Sequence, residues 1–342
     1  MKVIYSDRHV GHDPQQFIVR GKFKRSNEQP ERAHLLLQAA REQGHEVVAP
    51  EDHGPGPRAA IHTPQYLRFL ETAWARWQQL DDPSFEVIPN VHPFPGQPFT
   101  YPDSLVGQAG YHLGDMACSL GQHTWEAAVW SAHTATHAAQ LVLDGERAAY
   151  ALCRPPGHHA YADRANGFTY LNNAAIAAQH LRRRFDRVAI VDVDVHHGNG
   201  TQGIFWRRRD VLTVSLHGDP HFCTPFFTGH AHEHGEGDGL GFNLNVPLAR
   251  GTDTEAYLVA LRSALDAVRA YAPGAVVVAL GLDAHEHDPY RALAVSTEGF
   301  ARITGEIARL GVPTVLVQEG GYLSPDLGPN LRSALGGFEA AA

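Results

Sequence analysis

The sequence predicts an α/β protein in one domain, 1–342, with a mostly parallel sheet covered by helices on both faces. Three observations lead there. The strand-like runs are short and continuously apolar, as suits strands buried on both faces. They alternate with stretches of helical length and pattern. No repeat, low-complexity tract or linker divides the 342 residues, a length able to bury one large core.

In chain order, "KVIYS" at Lys2–Ser6 reads as the first strand. "PERAHLLLQAAREQG" follows as a helix that Pro30 can open and Gly44 can close. Further strands are expected at "HEVVAP", "AAYALCR", "RVAIVDVDV", "DVLTVSLHG", "GAVVVALGLD" and "PTVLVQEGG". The helices between them are "NNAAIAAQHLRRRF", "DTEAYLVALRSALDAVRAYA" and "STEGFARITGEIARLG". One segment breaks the rhythm: Ile88–Gly107 carries five prolines with Phe94, Phe99 and Tyr101. A long irregular loop rich in aromatics is expected to be a lid or a subunit contact.

Composition narrows the function classes. With 43% hydrophobic and 19% charged residues the chain reads as a soluble globular protein. A formal charge of −9 disfavours nucleic acid, whose phosphates reward basic patches, and modestly favours cationic substrates. Cys118, Cys153 and Cys223 form no Cys-x-x-Cys pair, so a reducing cytoplasm is expected. No signal peptide is read at the start, and no apolar run approaches the ~20 residues of a membrane span. Among 23 histidines, His34, His45 and His180 read as surface or structural residues. "GHAHEHGEGDG", Gly229–Gly239, reads as an exposed loop whose metal affinity would be incidental.

The chemistry gathers where strands end. In an open parallel sheet, ligands bind outside the carboxyl ends of the strands. "AAYALC" runs into His158 and His159 within a Pro-Pro-Gly turn. "RVAIV" runs into Asp192, Asp194, His196, His197 and Asn199; "AVVVALGL" into Asp283; and "TVLVQ" into Glu319-Gly-Gly-Tyr322. Asp192, Asp194 and His196 alternate, so an extended backbone turns them to one side. Asp194, His196 and Asp283 make a carboxylate–imidazole–carboxylate set, the three-ligand pattern of a catalytic zinc with an open fourth place. His159 suits a general base that returns its proton to a leaving amine, His158 a charged helper oriented by Asp192. Asn199 is a neutral partner for His159, and Tyr322 can donate to an oxyanion.

"RPPGHHA", "NGFTYLNNAA", "DVDVHHGNGTQ", "SLHGDP", "GLDAHEHDP" and "EGGY", in that order between about Tyr150 and Tyr322, resemble the zinc-dependent deacetylase family. That family includes histone deacetylases, bacterial deacetylase-like amidohydrolases and acetylpolyamine amidohydrolases. "YLRFLETAWARW" and "TWEAA" are more similar to the last of these. The resemblance implies a single arginase/deacetylase-like domain around a mostly parallel eight-stranded sheet. It implies one zinc per subunit on Asp194, His196 and Asp283, with catalytic His158, His159 and Tyr322. It also implies an acyl tunnel walled by Phe168 and Phe227 beside Gly167. A structural potassium would sit on Asp192, Asp194, His196, Ser215 and Leu216.

Many members carry an acidic residue where this chain has Asn199, while others share the asparagine. The glutamates by which acetylpolyamine amidohydrolases attract a distal ammonium align with Val106 and Ala117. Asp115 and Asp103 lie close by as substitutes. The Ile88–Gly107 segment looks like the insertion that pairs two subunits and narrows the active-site mouth, implying a homodimer acting on slender acylated amines. The alternatives are a deacetylase of acetyl-lysine peptides or other small amides, a binuclear manganese ureohydrolase, and a non-enzymatic acyl-amine binder.

Overall fold

The apolar runs of the sequence alternate between two environments, and that alternation builds the sheet. A computed structural model describes residues 1–342. In chain order come β1 (Lys2–Ile4), hairpin strands β2 (Phe17–Val19) and β3 (Lys22–Lys24), α1 (Pro30–Glu42) and β4 (Glu46–Val48). Four helices follow, α2 (Gly56–Ala59), α3 (Pro64–Trp77), α4 (Leu105–His112) and α5 (Thr124–Leu143), before β5 (Ala148–Ala151). Next are α6 (Asn173–Leu181), β6 (Val188–Asp192), α7 (Asn199–Phe205), β7 (Val211–Gly218) and β8 (Asn243–Leu248). The chain ends with α8 (Thr254–Tyr271), β9 (Ala275–Leu280), α9 (Thr297–Ala308), β10 (Thr314–Gln318) and α10 (Leu327–Ala341).

Eight strands form one sheet in the order β4-β1-β5-β10-β9-β6-β7-β8, and every neighbouring pair is parallel. Along β9, Val276, Val278 and Leu280 enter one apolar core, while Ala275, Val277 and Ala279 enter the other. Helices α1, α8, α9 and α10 cover the first face; α3, α5 and α6 cover the second. Small side chains on the second face, such as Ala174, Ala175, Ala177 and Ala178 of α6, let helix and sheet approach closely.

All seven strands expected from the sequence form, and Gly44 takes a positive φ of 83° just past α1. The eighth, β8, and the β2–β3 hairpin escape an apolar-run reading. β8 is an edge strand, paired only with β7, and carries Asn243 and Asn245 at alternating positions. The Pro-rich segment is irregular from its start but ends sooner than expected. Ser104 caps α4 by accepting from Gly107 N at 3.2 Å, so residues 105–107 are already helical.

A buried charge cluster ties α1 to the rim of this sheet. Glu28, Arg32 and Arg154 are almost wholly enclosed. Glu28 Oε1 accepts from Arg32 Nη1 at 2.7 Å and from Arg154 Nε at 2.9 Å. Arg32 also donates to the carbonyl oxygens of Gly321 at 2.5 Å and Glu319 at 2.7 Å. Its guanidinium lies 4.8 Å from the Tyr322 ring centroid. Burial alone would push the Glu28 carboxyl up, but Arg154, His12 and Arg32 outweigh it and hold the group below the usual carboxylate range.

Removing one member leaves the others buried and unpaired, which costs about 3–5 kcal/mol. Glu28→Gln should therefore lower the unfolding free energy by about that amount at pH 7, read from denaturant melts. The folded-state pKa of Glu28 is depressed, so its stabilisation is present above the unfolded value of ~4.3 and is lost as pH falls towards the folded value. The gap between wild type and variant should hold above about pH 5 and narrow below it. A gap that widened on acidification would contradict this account.

Candidate metal centre and active site

The strands β5, β10, β9 and β6 are consecutive in the sheet, and their carboxyl ends deliver all the expected chemistry to one rim. After β6 the period of two continues through "DVDVH". Val193 and Val195 sink into the first core, which leaves Asp192, Asp194 and His196 on the other side. All three are buried, as is Asp283 beyond β9.

Asp194 Oδ1 accepts from the His196 backbone N at 2.9 Å and lies 3.1 Å from His196 Nδ1. Its Oδ2 accepts from Gly320 N at 2.7 Å. Asp283 Oδ1 accepts from Val195 N at 3.0 Å, while its Oδ2 lies 3.2 Å from His196 Nδ1 and has no hydrogen-bond partner. One donor atom from each of Asp194, His196 and Asp283 falls within 4.8 Å of the others. Burial disfavours a charged imidazole, yet the two carboxylates hold His196 well above its ordinary value. A dry pocket with two carboxylates around one imidazole nitrogen, and an oxygen left over, calls for a cation. The donor set fits a divalent metal.

Glycine makes room for this crowding. A Cβ at Gly320 would stand 2.2 Å from Asp283 Oδ2 and 2.5 Å from Asp194 Oδ2. Gly320 is the residue whose N–H serves Asp194, so no side chain can replace it without moving a carboxylate.

The tandem histidines sit against this set with different partners. His158 Nδ1–H donates to Asp192 Oδ2 at 2.8 Å, and its Nε2 is 3.8 Å from Asp194 Oδ1. Burial works against a charge there, but Asp192 and Asp194 outweigh it and push His158 up to about 10. His159 Nδ1–H donates to Asn199 Oδ1 at 2.6 Å, a tautomer that leaves Nε2 free to take a proton. Burial, reinforced by His158 and His196, holds His159 well below the ordinary imidazole value. The two rings lie 4.1 Å apart between centroids and tilted by 40°, one backed by a carboxylate and the other by a neutral amide.

Glu319 supports the pair from β10. Its Oε2 accepts from Gly157 N at 2.6 Å and His158 N at 3.0 Å, and burial pushes its carboxyl up to about 7. The sequence places Glu319 on the rim without a task. Arg32 it misses altogether, though a cation on the apolar face of α1 was a readable signal. Asp288 is missed too: its Oδ2 accepts from Tyr322 N at 3.1 Å, which fixes the backbone of the tyrosine.

Tyr322 is buried after Gly321, whose φ is 109°. The Phe168 ring lies 6.0 Å from Tyr322 on one side and 5.5 Å from Phe17 on the other. Tyr290 fills the space between Tyr322 and His196, 5.0 Å from each. Gly167 presses on the general-base candidate: at φ 51°, a Cβ there would meet His159 Cδ2 at 2.4 Å.

The remaining expectations divide. Asp115 is next to the site, its Oδ2 accepting from Gly167 N at 2.9 Å and its Oδ1 from Ala117 N at 2.8 Å. Val106 packs against the second core instead, and Asp103 is exposed just before α4. Phe227 is 88% exposed beyond β7 and does not share the buried wall that Phe168 forms. Asp192 and Ser215 are register partners on β6 and β7, with Leu216 next along. Asp192 and Ser215 border a cavity of about 10 Å³ also lined by Thr201, Gln202 and Asn243, whereas Asp194, His196 and Leu216 do not line it. The Ser215 hydroxyl pairs with His217 Nδ1 at 2.8 Å. In the Gly229–Gly239 tract His232 and His234 are exposed, as expected. Glu233 is the unforeseen part: its Oε2 accepts from Gln202, Gly229 N and Asn245, anchoring the loop to β8.

Comparison with known proteins gives concordant results. A model of the histone deacetylase domain matches residues 26–337. An acetylpolyamine amidohydrolase of Burkholderia pseudomallei is 48% identical over 96% of each chain. Acetylpolyamine amidohydrolase 1 of Pseudomonas aeruginosa is 42% identical over the full length of both. A crystal structure of the acetylpolyamine aminohydrolase from Burkholderia pseudomallei superposes with a TM-score of 0.96 at 46% identity, covering 100% of this chain and 99% of that one.

Gly320→Ala tests the geometry directly. The added methyl displaces a carboxylate of the cation set, so affinity for a divalent metal at the rim should fall by about 10–100-fold, as when the shell around a metal site is disturbed. Metal analysis after dialysis against a buffered zinc pool, alongside circular dichroism to confirm folding, reads the outcome. A folded variant with undiminished metal would show that the three residues are not the ligands.

Proposed function

Because the chain belongs to the histone deacetylase family, we propose that it is a metal-dependent amidohydrolase removing acetyl groups from acetylated polyamines or related diamines. The observation that carries this reading is the convergence on one buried rim of the Asp194–His196–Asp283 set, the His158–His159 pair with its carboxylate and amide partners, and Tyr322. Its full-length relatives bearing the acetylpolyamine amidohydrolase name support the substrate class.

Asp194, His196 and Asp283 would hold the ion, and two carboxylates with one imidazole suit zinc. When bound, such an ion supplies Lewis acidity to the acetyl carbonyl and to a water molecule. His159, neutral through burial and a neutral Asn199 partner, takes the proton of the attacking water on Nε2 and returns it to the departing amine. His158, whose Nδ1–H is held by Asp192 in a setting that favours the protonated ring, would stabilise the negative charge that grows as the carbonyl is attacked. Tyr322 donates its hydroxyl to the carbonyl oxygen as it becomes an oxyanion. The apolar face of Phe168, backed by Phe17, guides the aliphatic chain.

Asp115 is tied to this wall by its bond to Gly167 and would attract the distal ammonium. The polar cavity beside Asp192 and Ser215 supports a structural potassium at the base of the set, since about 10 Å³ is room for one small occupant. Phe94, 80% exposed on the Pro-rich loop with Phe99 nearby, supports pairing of two copies there. The three cysteines are free and buried, in keeping with a reducing compartment such as the cytoplasm. No helix is long and apolar enough to cross a membrane. A bridged pair of ions, as a ureohydrolase would use, needs a second buried donor group sharing a carboxylate with the first. The buried donors form one set of three.

Turnover on acetylputrescine, acetylcadaverine, acetylspermidine, an acetyl-lysine peptide and a neutral acetanilide tests the substrate class. The free diamines should lead, and Asp115→Asn should raise their KM more than it raises that of the neutral amide, because the charge matters only to the former while the bond to Gly167 matters to both. Preference for the peptide would replace the polyamine reading with a lysine deacetylase. Tyr322→Phe should keep its metal and lose about 10²–10³ in kcat, the worth of an oxyanion donor. Unchanged turnover would remove the tyrosine from the mechanism.

The identity of the His159 partner sets the working pH. Asn199→Asp places a negative charge on the Nδ1 side, favours the protonated imidazole, and should move the acidic limb of kcat/KM upward by about 1–2 pH units. A pH–rate profile reads it; a limb that stays put would mean that His159 is not the base.

A further inference from the structure

The loop at residues 157–172 carries the tandem histidines on its outgoing arm and Gly167 and Phe168 on its returning arm. The two arms close on each other: a Cβ at Gly157 would stand 2.4 Å from Asn173 N and 2.8 Å from Leu171 O. One side chain from elsewhere joins them. His62, buried just before α3, donates from Nδ1 to Tyr161 O at 3.1 Å and accepts at Nε2 from Asn172 N at 2.9 Å.

The imidazole is fully used, with one ring nitrogen on each arm and a single tautomer that serves both. Its own place is fixed from behind, where His62 N donates to Arg58 O at 2.9 Å and Thr63 N to Ala162 O at 2.8 Å. From Asn172 the tie runs on to the histidines. The Asn172 Nδ2 donates to Ala160 O at 3.0 Å and Thr201 Oγ1 at 3.1 Å, while Thr201 N donates to His158 O at 3.1 Å. The Asn172 Oδ1 accepts from Ala175 N at 2.9 Å, which moors the returning arm to α6. Burial holds His62 down to about 4, against its backbone bonds and the nearby Asp163, so the ring is neutral near pH 7.

From this we infer that His62 is a positioning residue for the reaction: by bridging both arms it sets the spacing between the His158–His159 pair and the Phe168 wall. This role rests on the reading of the rim as an amidohydrolase site. A neutral imidazole suits the task because it is a rigid ring with one donor and one acceptor. Removing it leaves a carbonyl and an amide unpaired in a buried place, so the arms must part or admit water. His62 touches no reacting group and acts only through the loop.

Two variants test it. His62→Phe keeps a ring and bridges nothing, whereas His62→Gln again offers one donor and one acceptor. Per folded, metal-loaded chain, the phenylalanine variant should lose about 10–100-fold in kcat/KM on acetylputrescine, the cost of a displaced catalytic group. Its KM should rise as its kcat falls, and glutamine should recover part of both. A merely less stable protein would lose active molecules, lowering kcat at constant KM. Hydrogen exchange over residues 157–172 should quicken about 10-fold or more in the phenylalanine variant, with β9 as protected as in wild type. An unchanged KM, unchanged exchange, or a glutamine variant no better than phenylalanine would each overturn the proposal. If wild type turns over no acetylated amine, the reading of the rim fails, and exchange alone decides the bridge. Should His62→Phe not fold, nitrogen NMR of wild type decides. The ring whose signals vanish in His62→Gln should carry its proton on Nδ1 and stay neutral above about pH 5. A ring titrating near the ordinary ~6.5 would defeat the bridge.

Discussion

The rim depends on one hydrogen bond, from the Gly320 amide to Asp194 Oδ2 at 2.7 Å. In the sheet β9 lies between β10 and β6, so this bond reaches over the end of β9 and encloses Asp283. It draws the segment after β10 onto the segment after β6, and with it come Glu319, which holds the His158 backbone, and Tyr322. Only a residue without a side chain can make that approach. The parallel sheet supplies the adjacency, and the glycine lets the three strand ends close into one site.

Such closure buries Asp192, Asp194, Asp283 and Glu319 together, which is tolerable only with compensation. The compensation is arranged atom by atom. Asp192 faces His158; Asp194 takes two backbone amides and His196; Glu319 takes two backbone amides. Arg32 brings positive charge from α1 and donates to the carbonyls of Glu319 and Gly321. Asp283 Oδ2 and Glu319 Oε1 are left over, and of the two it is Asp283 Oδ2 that belongs to the three-donor set, 3.2 Å from His196 Nδ1, where a ligand would complete it. The second shell therefore points to the same place as the first.

Much of this was legible in the sequence because strand periodicity and strand ends are local features. "AIVDVDVHH" announces a buried strand and, by its period of two, which residues leave the core. That Asp283 and Tyr322 would share the rim followed from the parallel arrangement alone. What stayed hidden required distance. β8 was masked by Asn243 and Asn245, which make sense only when Gln202 and Glu233 are seen to bond them. Arg32 stands 289 positions from Gly321, and no spacing rule links them. Phe227 was misleading in the opposite way, since an aromatic in a suitable motif need not be packed; here it stands almost wholly in solvent.

The division between rigid and variable parts explains why chemistry and substrate choice are separable in this molecule. The groups that would move protons and charge sit beyond the ends of central strands, with His158 and Tyr322 held through their backbone amides by Glu319 and Asp288. The groups that would choose the amine lie on loops. Phe168 has a positive φ of 68° and follows Gly167, which Asp115 holds from a different segment. A carboxylate needs only to reach the mouth of the site to attract an ammonium, because that attraction acts over a distance and without strict geometry. An acid at Asp115, where Val106 and Ala117 offer none, would therefore be a placement that the loops can absorb, provided that the Asp115–Gly167 bond keeps Phe168 against Tyr322. The same bond would then serve both ends of the proposed reaction, setting the wall along which the chain would lie and placing a negative charge beside it.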